Sequence, residues 1–528
     1  MIIRAAGDAA LLLEVTHADT DGNEAARIAA AIRAAAMPGV VDVVPAAATV
    51  LVSVEPGSWE LAGLAMRLHE LAATPLPSLP ASDEADLTIP AVYDGPDLAD
   101  VAARTGLTDA EVIARHAGTR YRVGWLGFSP GFGYLTGLDP ALAAVPRLAT
   151  PRVAVPAGSV AIAGGFAAVY PAASPGGWRL LGRSDVSLWD PGRDPPALLS
   201  PSRHVRFRVV DRLPLRPSPA AGAPTAHPPD GRSVEVLQPG PLTTVQDLGR
   251  AGLAHLGVPR SGAADAASLR RANGQVGNPP DAAGLEVTLG RLVVRFESDA
   301  LVAVTGAPVP MTLSEASSPA PVHGTAFRVR AGAVLRLGAP AAGLRSYLAV
   351  DGGFDVTAVL GSRSADPRSG LGPAPLRAGE RLPVGRPRSL PEKLPAERPR
   401  PAISGPAALR AIAGPRDDWF SAAALATLAS ASYQVGPSSD RTGLRLDGPR
   451  LERAPGREGE LPSEGVAAGS LQVTHDGQPI LLLADHPTTG GYPVIAVVVS
   501  ADLGLAAQLR PGQQVGFAIS QSQLASSR

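Results

Sequence analysis

The 528-residue sequence contains no cysteine and a single lysine, Lys393. Without cysteine the chain can form no disulfide, no cysteine nucleophile and no thiolate-bound metal site. Lys393 lies in a Pro/Arg-rich tract, so the sequence has no GKS or GKT phosphate loop, no Schiff-base lysine and no Met-Lys-Met acceptor for biotin. A bound phosphate would have to be held by arginine, backbone N–H groups or a metal.

Long apolar runs and a large net charge are also missing. Apolar stretches such as 494–499 are far too short to span a bilayer, and the first residues, interrupted by Asp8 and Glu14, make a poor signal peptide. The formal net charge is −1 with no large basic block, which argues against nucleic acid or a membrane surface as a partner. We therefore expect a cytoplasmic protein.

Glycine and proline are abundant instead, with 58 and 54 residues. They are spread without a collagen-like period, and 45% of the residues are hydrophobic, which favours turn-rich globular β structure over disorder. The predicted fold class is mainly β with α+β, as a small N-terminal α+β domain followed by β-barrel domains. The length is sufficient for three or four domains.

Composition along the chain predicts four domains and one linker. A small α+β domain is expected over 1–82 and a β-barrel over 86–212. The segment 213–232 is a Pro/Ala-rich linker with nothing to bury, so it separates two halves. The second half should contain two further domains, over 233–388 and 400–520, whose β-barrel fold is implied only by the family resemblance described below.

The stretch Gly124 to Asp190 is the most informative part of the chain. It begins GWLGFSPGFGYLTGLDP, continues TPRVAVPAGSVAIAGGFAAVYP and ends SPGGWRLLGRSDVSLWD. Proline fixes φ and glycine permits positive φ, so the frequent prolines and glycines force repeated turns between short strands.

Three local signals lie elsewhere in the chain. Thr108 and Glu111 have the spacing of a capping box, Ser58 is placed to cap a helix running to Leu71, and Asp476–Gly477 predicts a hairpin.

The stretch Gly124 to Asp190 resembles the B subunit of bacterial ATP-dependent 5-oxoprolinase, whose relatives include allophanate hydrolase subunit 1 and sporulation kinase inhibitors. The second half contains VEVLQPGPLTTVQDLGRAGLAHLGVPRSG, SSDRTGLRLDGP and LLLADHPTTGGYPVIAVV. These segments resemble the C subunit, also called allophanate hydrolase subunit 2. The resemblance implies cyclophilin-like barrels and a natural fusion of B and C. Urea carboxylase carries the same carboxyltransferase modules in the opposite order, with biotin domains that have no counterpart here.

The resemblance implies an amide (lactam) hydrolase that converts 5-oxo-L-proline to L-glutamate with ATP and Mg²⁺, without covalently attached biotin. It also implies a separate A subunit, without which little activity is expected; assembly of several copies is left open. Two alternatives stay open. One is a carboxyltransferase-like module of a urea or allophanate pathway, and the other is a regulatory protein that binds a histidine kinase.

Four residues are candidates for catalysis. Histidine can exchange protons near neutral pH, and carboxylates can bind a metal or an arginine. Each has a structural alternative, since a histidine can cap a helix and strand-end carboxylates are often solvated. The catalytic candidates are His116, Asp247, Glu286 and Asp485.

A second group could bind the substrate or an anion through arginine side chains and polar glycine-bearing loops. Its members are Ser129, Gly131, Tyr134, Arg152, Ser159, Arg250, His255, Asp440, Arg441, Glu464, Thr488, Thr489 and Tyr492. For Arg152 the structural alternative is a surface ion pair. No metal ligand is assigned. Three departures from the family pattern occur. They lie at Gly133, where relatives often carry Pro or Ala, at 166–168, and at His486–Pro487, where the family tends to have Arg-Gln.

Overall fold

The computed structural model describes residues 1–15, 23–74, 76, 85–214, 231–314, 320–387, 404–459 and 461–521. Most of the predicted linker 213–232 and the tract around Lys393 lie outside these ranges, as does the end of the first predicted domain. The expectation of a mainly β chain with α+β parts is confirmed. No helix within the described ranges is both long and apolar enough to cross a membrane.

The first unit is an antiparallel sheet of order β1-β2-β4-β3 packed against two helices. Its elements are β1 (Ile2–Ala5), β2 (Ala10–Glu14), α1 (Asn23–Ala34), β3 (Val40–Pro45), β4 (Thr49–Val54) and α2 (Leu61–Ala73). Strand residues alternate between faces, so Leu11 and Leu13 face the helices while Leu12 points to the opposite face. The predicted cap of α2 is wrong, because Ser58 donates to the carbonyl of Glu55 and the helix begins at Leu61.

The second unit is a seven-stranded sheet of order β12-β9-β10-β7-β6-β13-β5, closed further by a bridge between Val92 and Arg183. The predicted capping box at Thr108 and Glu111 is confirmed at the start of α4. A two-stranded ribbon, β8 with β11, lies beside the sheet. The elements are β5 (Leu87–Ala91), α3 (Leu98–Thr105), α4 (Asp109–Gly118), β6 (Tyr121–Leu126), β7 (Gly133–Thr136), α5 (Pro140–Ala143), β8 (Arg152–Val155), β9 (Ser159–Ala163), β10 (Phe166–Val169), β11 (Ser174–Gly176), β12 (Arg179–Arg183) and β13 (His204–Val209).

The third unit consists of two five-stranded sheets, of order β19-β21-β17-β14-β23 and β15-β16-β22-β18-β20, around one apolar core. Helix α6 packs on β18 and β22 through Leu269 and Ala272. The elements are β14 (Ser233–Gln238), β15 (Leu242–Gln246), a 3₁₀ turn (Ala254–Leu256), α6 (Ala266–Gln275), β16 (Gly284–Thr288), β17 (Val293–Phe296), β18 (Ala300–Gly306), β19 (Met311–Leu313), β20 (Ala326–Val329), β21 (Val334–Leu337), β22 (Arg345–Val350) and β23 (Arg381–Pro383).

The fourth unit is a closed barrel of order β24-β31-β28-β29-β26-β25-β32. The predicted hairpin is confirmed, since Leu471 pairs with Leu481 and Gly477 has a φ of 80° in the turn. The elements are β24 (Ala407–Ala413), a 3₁₀ turn (Asp417–Trp419), α7 (Ala422–Ser430), β25 (Tyr433–Val435), β26 (Gly443–Asp447), β27 (Glu464–Gly465), β28 (Ser470–Val473), β29 (Pro479–Leu482), β30 (Thr489–Gly490), β31 (Val494–Val498), α8 (Ser500–Ala506) and β32 (Gln514–Ser520).

Candidate functional site

Loops from both halves of the chain enclose a cavity of about 80 Å³, which we call the junction cavity. The first half contributes 128–130, 171–174 and Trp189, and the second half contributes Pro259, Asp366, Arg368, Ser369 and 485–487. A water molecule needs roughly 10–15 Å³ of such space, so the cavity has room for a small organic molecule. Because its walls come from distant parts of the sequence, it exists only when the halves are docked.

Close backbone contact holds the two halves together beside this cavity. Gly131 donates its N–H to the carbonyl of Leu256 at 3.0 Å. Gly257, with a φ of 80°, lies so near the loop that a Cβ would stand 2.1 Å from the carbonyl oxygen of Ser129. Only glycine satisfies both the left-handed backbone and the space. Phe128, in the facing loop, has a φ of 64° although it is not glycine, which is a strained conformation of the kind found at functional sites.

The junction cavity contains polar groups that lack partners in the described part of the chain. The hydroxyl of Ser174 and the indole N–H of Trp189 are buried without a hydrogen bond there. Such groups are costly unless a ligand or water satisfies them. On the opposite wall Arg368 is exposed, and its guanidinium contacts the hydroxyl of Thr442 at 3.3 Å. The cavity therefore offers an exposed guanidinium to a ligand, whereas the Ser174 hydroxyl and the Trp189 indole N–H are buried within its wall.

A larger cavity of about 540 Å³ lies between the N-terminal sheet, the third unit and the last barrel. Alanine, valine and leucine side chains form most of its wall, with Asp8, Asp42, Glu55 and Arg260 among the charged groups. Burial raises the pKa of Asp42 to about 6, although the N–H of Ala254 donates to its carboxylate. Pro259 and His486 line both cavities.

Three predicted site residues, Glu286, Arg441 and Asp485, come together as a buried ion cluster next to the junction cavity. Arg441 donates to both oxygens of Asp485 at 2.8 and 2.9 Å, and to Glu286 and the carbonyl of Gly262. Burial by itself raises the pKa of Glu286. The positive charges of Arg441 and Arg345 have the larger effect, so the pKa of Glu286 is lowered overall. The cluster joins the third unit to the last barrel.

A second buried cluster surrounds Arg416, which was not among the predicted residues. Its guanidinium binds Glu464 of its own barrel and Glu14 of the N-terminal sheet. Glu14 also pairs with Arg4. The predicted residue Glu464 is thus engaged in an interdomain ion cluster and does not line either cavity.

His116 lies in the core of the second unit and lines neither cavity. Its Nδ1 is 2.7 Å from the hydroxyl of Tyr93, and its ring packs against Tyr121 and Phe207. Burial lowers the pKa of His116 to about 3. The imidazole is therefore neutral and enclosed by aromatic rings, so we do not retain it in the site.

Asp247 and Arg250 stabilise loops of the third unit. Asp247 accepts hydrogen bonds from the hydroxyls of Ser362 and Ser364 and from the backbone N–H groups of Gly249 and Arg363. Arg250 donates to the carbonyls of Val359 and Ser364. Both side chains fix the segment that leads to the cavity residue Asp366.

Five other predicted residues have local roles. Arg152 pairs with Asp97 at 2.7 Å, and Ser159 donates to the carbonyl of Pro156. Asp440 accepts from the backbone of its own turn. His255 packs near the N-terminal sheet, where burial lowers its pKa to about 4. The Tyr492 ring contacts His475.

The remaining predicted residues lie at or near the contact between the halves. Tyr134 stacks on Trp125, and its hydroxyl contacts those of Ser463 and Thr489 at 3.3 Å. Ser129 lines the junction cavity and Gly131 bonds across the contact. Thr488 lines the larger cavity with its hydroxyl buried and unpaired among the described residues.

Sequence reasoning missed Trp189, Asp366, Arg368 and His486 as wall residues. Asp366 to Gly370 reads DPRSG, a turn signal that could have marked a polar loop. Nothing in the linear sequence brings that loop to Trp189. Among the described residues, no three His, Asp or Glu side chains converge to hold a metal ion, so the residues at the cavities do not fit a protein-held Mg²⁺ and no step below is assigned to one.

Two family models cover most of the chain. The model described as carboxyltransferase domain, subdomain C and D, matches residues 1–199, and the one described as subdomain A and B matches residues 256–519. The second match alone spans half of the sequence. The chain belongs to the carboxyltransferase-domain family. Its two halves are the two modules of that family in tandem.

Relatives of this carboxyltransferase-domain protein match one half each. The second half is 40% identical over 287 residues to the C subunit of 5-oxoprolinase from Escherichia coli K12, covering 54% of this chain and 90% of the relative. The first half is 52% identical over 124 residues to the B subunit of 5-oxoprolinase from Escherichia coli O157:H7, covering 23% of this chain and 56% of the relative. Urea amidolyase of Lachancea kluyveri is 32% identical over 308 residues, covering 54% of this chain but 17% of that protein.

Two solved structures are similar to this chain, one over both halves and one over about half of it. The crystal structure of TTHA0988 aligns with a TM-score of 0.84 and 35% identity, covering 98% of this chain and 100% of that one. The urea amidolyase of K. lactis aligns with a TM-score of 0.51 and 29% identity over 54% of this chain and 18% of that one. The alignment with TTHA0988 therefore includes both modules of this chain.

Proposed function

We propose that this chain is the fused B and C component of an ATP-dependent 5-oxoprolinase, which opens 5-oxo-L-proline to L-glutamate together with a separate A subunit. Support comes from the similarity of its halves to proteins named as the B and C subunits of 5-oxoprolinase. The observation that carries the proposal is the junction cavity, because both halves build it and neither could form it alone.

The polar groups of the junction cavity match the substrate. 5-Oxoproline is a five-membered lactam with a carboxylate, a carbonyl and an N–H. Arg368 is placed to attract the carboxylate, since guanidinium–carboxylate bonds are among the stronger polar contacts in proteins.

We place the reaction in the cytoplasm, with ATP and its Mg²⁺ supplied as a substrate pair rather than held by a metal site of this chain. Removal of water from the ligand by the apolar walls at Phe128, Ala172 and Ala173 would strengthen those polar contacts. The A subunit is required because relatives of the two halves are named as subunits of a larger enzyme.

The test is reconstitution. Purified chain mixed with a cognate A subunit, ATP, Mg²⁺ and 5-oxoproline should release glutamate, whereas the chain alone should release little. Arg368→Gln should lower the rate, while Arg67→Gln, which changes an exposed arginine on α2 outside the cavity wall, should leave it unchanged. Absence of glutamate from the complete mixture would contradict the proposed function.

A carboxyltransferase acting on urea is the second candidate, favoured by the match to urea amidolyase. Urea itself has no carboxylate, but the transferred group arrives as the carboxylate of N-carboxybiotin and ends on the urea nitrogen, so Arg368 would have an anion to bind in this reaction too. Urea-dependent turnover with a biotinylated carrier protein, without glutamate release from 5-oxoproline, would support this candidate over 5-oxoprolinase.

A further inference from the structure

His486 stands between the two cavities. It lies in the turn after β29, and together with Pro259 it lines both the junction cavity and the larger cavity. Its neighbour Asp485 is fixed by two hydrogen bonds from Arg441. The turn that carries the imidazole is therefore anchored to a buried ion cluster, which limits where the ring can go.

The hydrogen bonding of His486 determines which nitrogen carries the proton. Nδ1 lies 2.8 Å from the carbonyl oxygen of Pro487, and a carbonyl can only accept. A neutral ring must then hold its hydrogen on Nδ1, which leaves Nε2 as a bare acceptor. No hydrogen bond to Nε2 is present within the described residues, and Nε2 is not among the buried unpaired atoms there, so a ligand can reach it.

The junction cavity also presents an exposed donor, because Arg368 offers its guanidinium there. A bare imidazole nitrogen in the same cavity as this cation complements a ligand that has a carboxylate and a single N–H. A secondary lactam with a carboxylate has that pattern, whereas the matching lactone replaces the N–H with an oxygen that would face Nε2 lone pair to lone pair.

We propose that His486 is the specificity-determining acceptor for the ring N–H of a cyclic amide bound in the junction cavity, so that the chain binds lactams in preference to lactones. This inference rests on the proposed lactam-binding role of the cavity. It adds the residue that accepts a hydrogen bond from the lactam N–H. A site that pairs a ligand N–H through a buried acceptor strongly rejects the analogue that lacks it.

Protonation of His486 should weaken this preference. Burial lowers the pKa of His486, and the bond to Pro487 offsets this only in part, so the ring is neutral at pH 7 and gains its proton at acidic pH. Protonated Nε2 becomes a donor and no longer accepts the lactam N–H. Other charged groups line the two cavities, and their titration needs a control: Asp8, Asp42, Glu55, Arg260, Arg270, Asp366, Arg368 and Asp485.

Isothermal titration of the full chain with 5-oxoproline and with the γ-lactone of 2-hydroxyglutarate tests the proposal. At about pH 7.5 the wild type should prefer the lactam by about tenfold or more, and this ratio should fall towards one only when the pH is taken below the lowered pKa of His486. In His486→Phe the ratio should be near one throughout the same pH series. His475→Phe, an exposed histidine outside both cavities, should behave as wild type.

His486→Gln provides a variant that keeps an acceptor. Its side-chain oxygen can accept the lactam N–H but does not titrate, so the preference for the lactam should persist while its pH dependence through this residue disappears. An unchanged ratio in His486→Phe, or a wild type that binds neither ligand, overturns the inference. The proposed function is tested by a different assay. It would be contradicted if the chain bound lactams selectively but released no glutamate with the A subunit.

Discussion

Arg441 of the last barrel and Glu286 of the preceding unit form a buried ion pair across a domain boundary. The same guanidinium binds Asp485 with two hydrogen bonds and so anchors the turn that carries His486. Residues predicted as catalytic groups thus serve to hold the wall of the junction cavity. An ion pair of this kind positions a site without contacting the ligand.

Arg441→Met should destabilise the protein strongly. It leaves Asp485 buried without its cation and Glu286 with Arg345 alone, and removing one partner of a buried pair costs about 3–5 kcal/mol. Urea denaturation followed by circular dichroism measures the loss as a lowered midpoint. Arg67→Met, which removes an exposed pair with Glu70 on α2, should lower the free energy of unfolding by less than about 1 kcal/mol. Equal losses of unfolding free energy in the two variants would show that the buried pair contributes no more to stability than the exposed pair does.

Acid should destabilise the second unit through His116. Its pKa is about 3 in the folded protein, against about 6.5 for an exposed histidine. Because the folded-state pKa is lowered, the contribution of neutral His116 to the free energy of unfolding is fully present above pH 6.5. This contribution is lost as the pH falls towards 3, by up to about 1.4 kcal/mol per pH unit.

His116→Gln should therefore flatten the decline of the urea midpoint between about pH 7.5 and pH 5. Glutamine can still pair with the hydroxyl of Tyr93 but binds no proton. His69→Gln, an exposed position on α2, is the matched control and should keep the wild-type slope. A slope in His116→Gln as steep as in the wild type would mean that this histidine is not held neutral.

Gly257→Ala should disrupt the contact between the halves and with it ligand binding at the junction cavity. A Cβ there would stand 2.1 Å from the carbonyl oxygen of Ser129, in addition to the strain of a φ of 80°. Gly106→Ala is the control, since it has a φ of 71° but open space around the added methyl group.

The control should lose about 1 kcal/mol from the backbone alone and retain 5-oxoproline binding. Calorimetry of both variants would separate strain from contact. Similar thermal midpoints and similar 5-oxoproline affinities in the two variants would argue against a tight junction at Gly257.

Arg368→Gln should weaken binding of 5-oxoproline by about 10- to 100-fold, since hydrogen bonds to charged groups contribute about 1.5–3 kcal/mol. The same variant should bind 2-pyrrolidinone, which lacks the carboxylate, as well as the wild type does. Titration calorimetry with both ligands measures the difference. A parallel loss for the two ligands would show that Arg368 does not read the carboxylate.

Local features were predictable because they depend on neighbours in sequence. The capping box at Thr108 and the hairpin at Asp476–Gly477 follow from the chemistry of a few adjacent residues, and both are confirmed. The proposed cap at Ser58 was wrong because the side chain bonds backward to Glu55 instead of forward into α2. The domain boundaries drawn from composition stay predictions.

The candidate site was only partly predictable. Ser129 and Asp485 were predicted and line the junction cavity, and Thr488 lines the larger one. His116 had the right chemistry for catalysis but lies in an aromatic core, since the strand that carries Phe207 packs against α4. Arg416 gave no signal and the DPRSG turn marks only the loop that carries Arg368, because an arginine looks the same in sequence whether it bridges domains or lines a cavity.

The sequence by itself determined which chemistry is open to this protein and which family it resembles. Absent cysteine and a single lysine limit the functional groups, and glycine and proline dictate short strands and turns. Only the tertiary structure decided which carboxylates pair with Arg441 and Arg416 and which side chains face a cavity. Burial and pairing arise from contacts between residues hundreds of positions apart, and these contacts set the charge and accessibility of every group at the site.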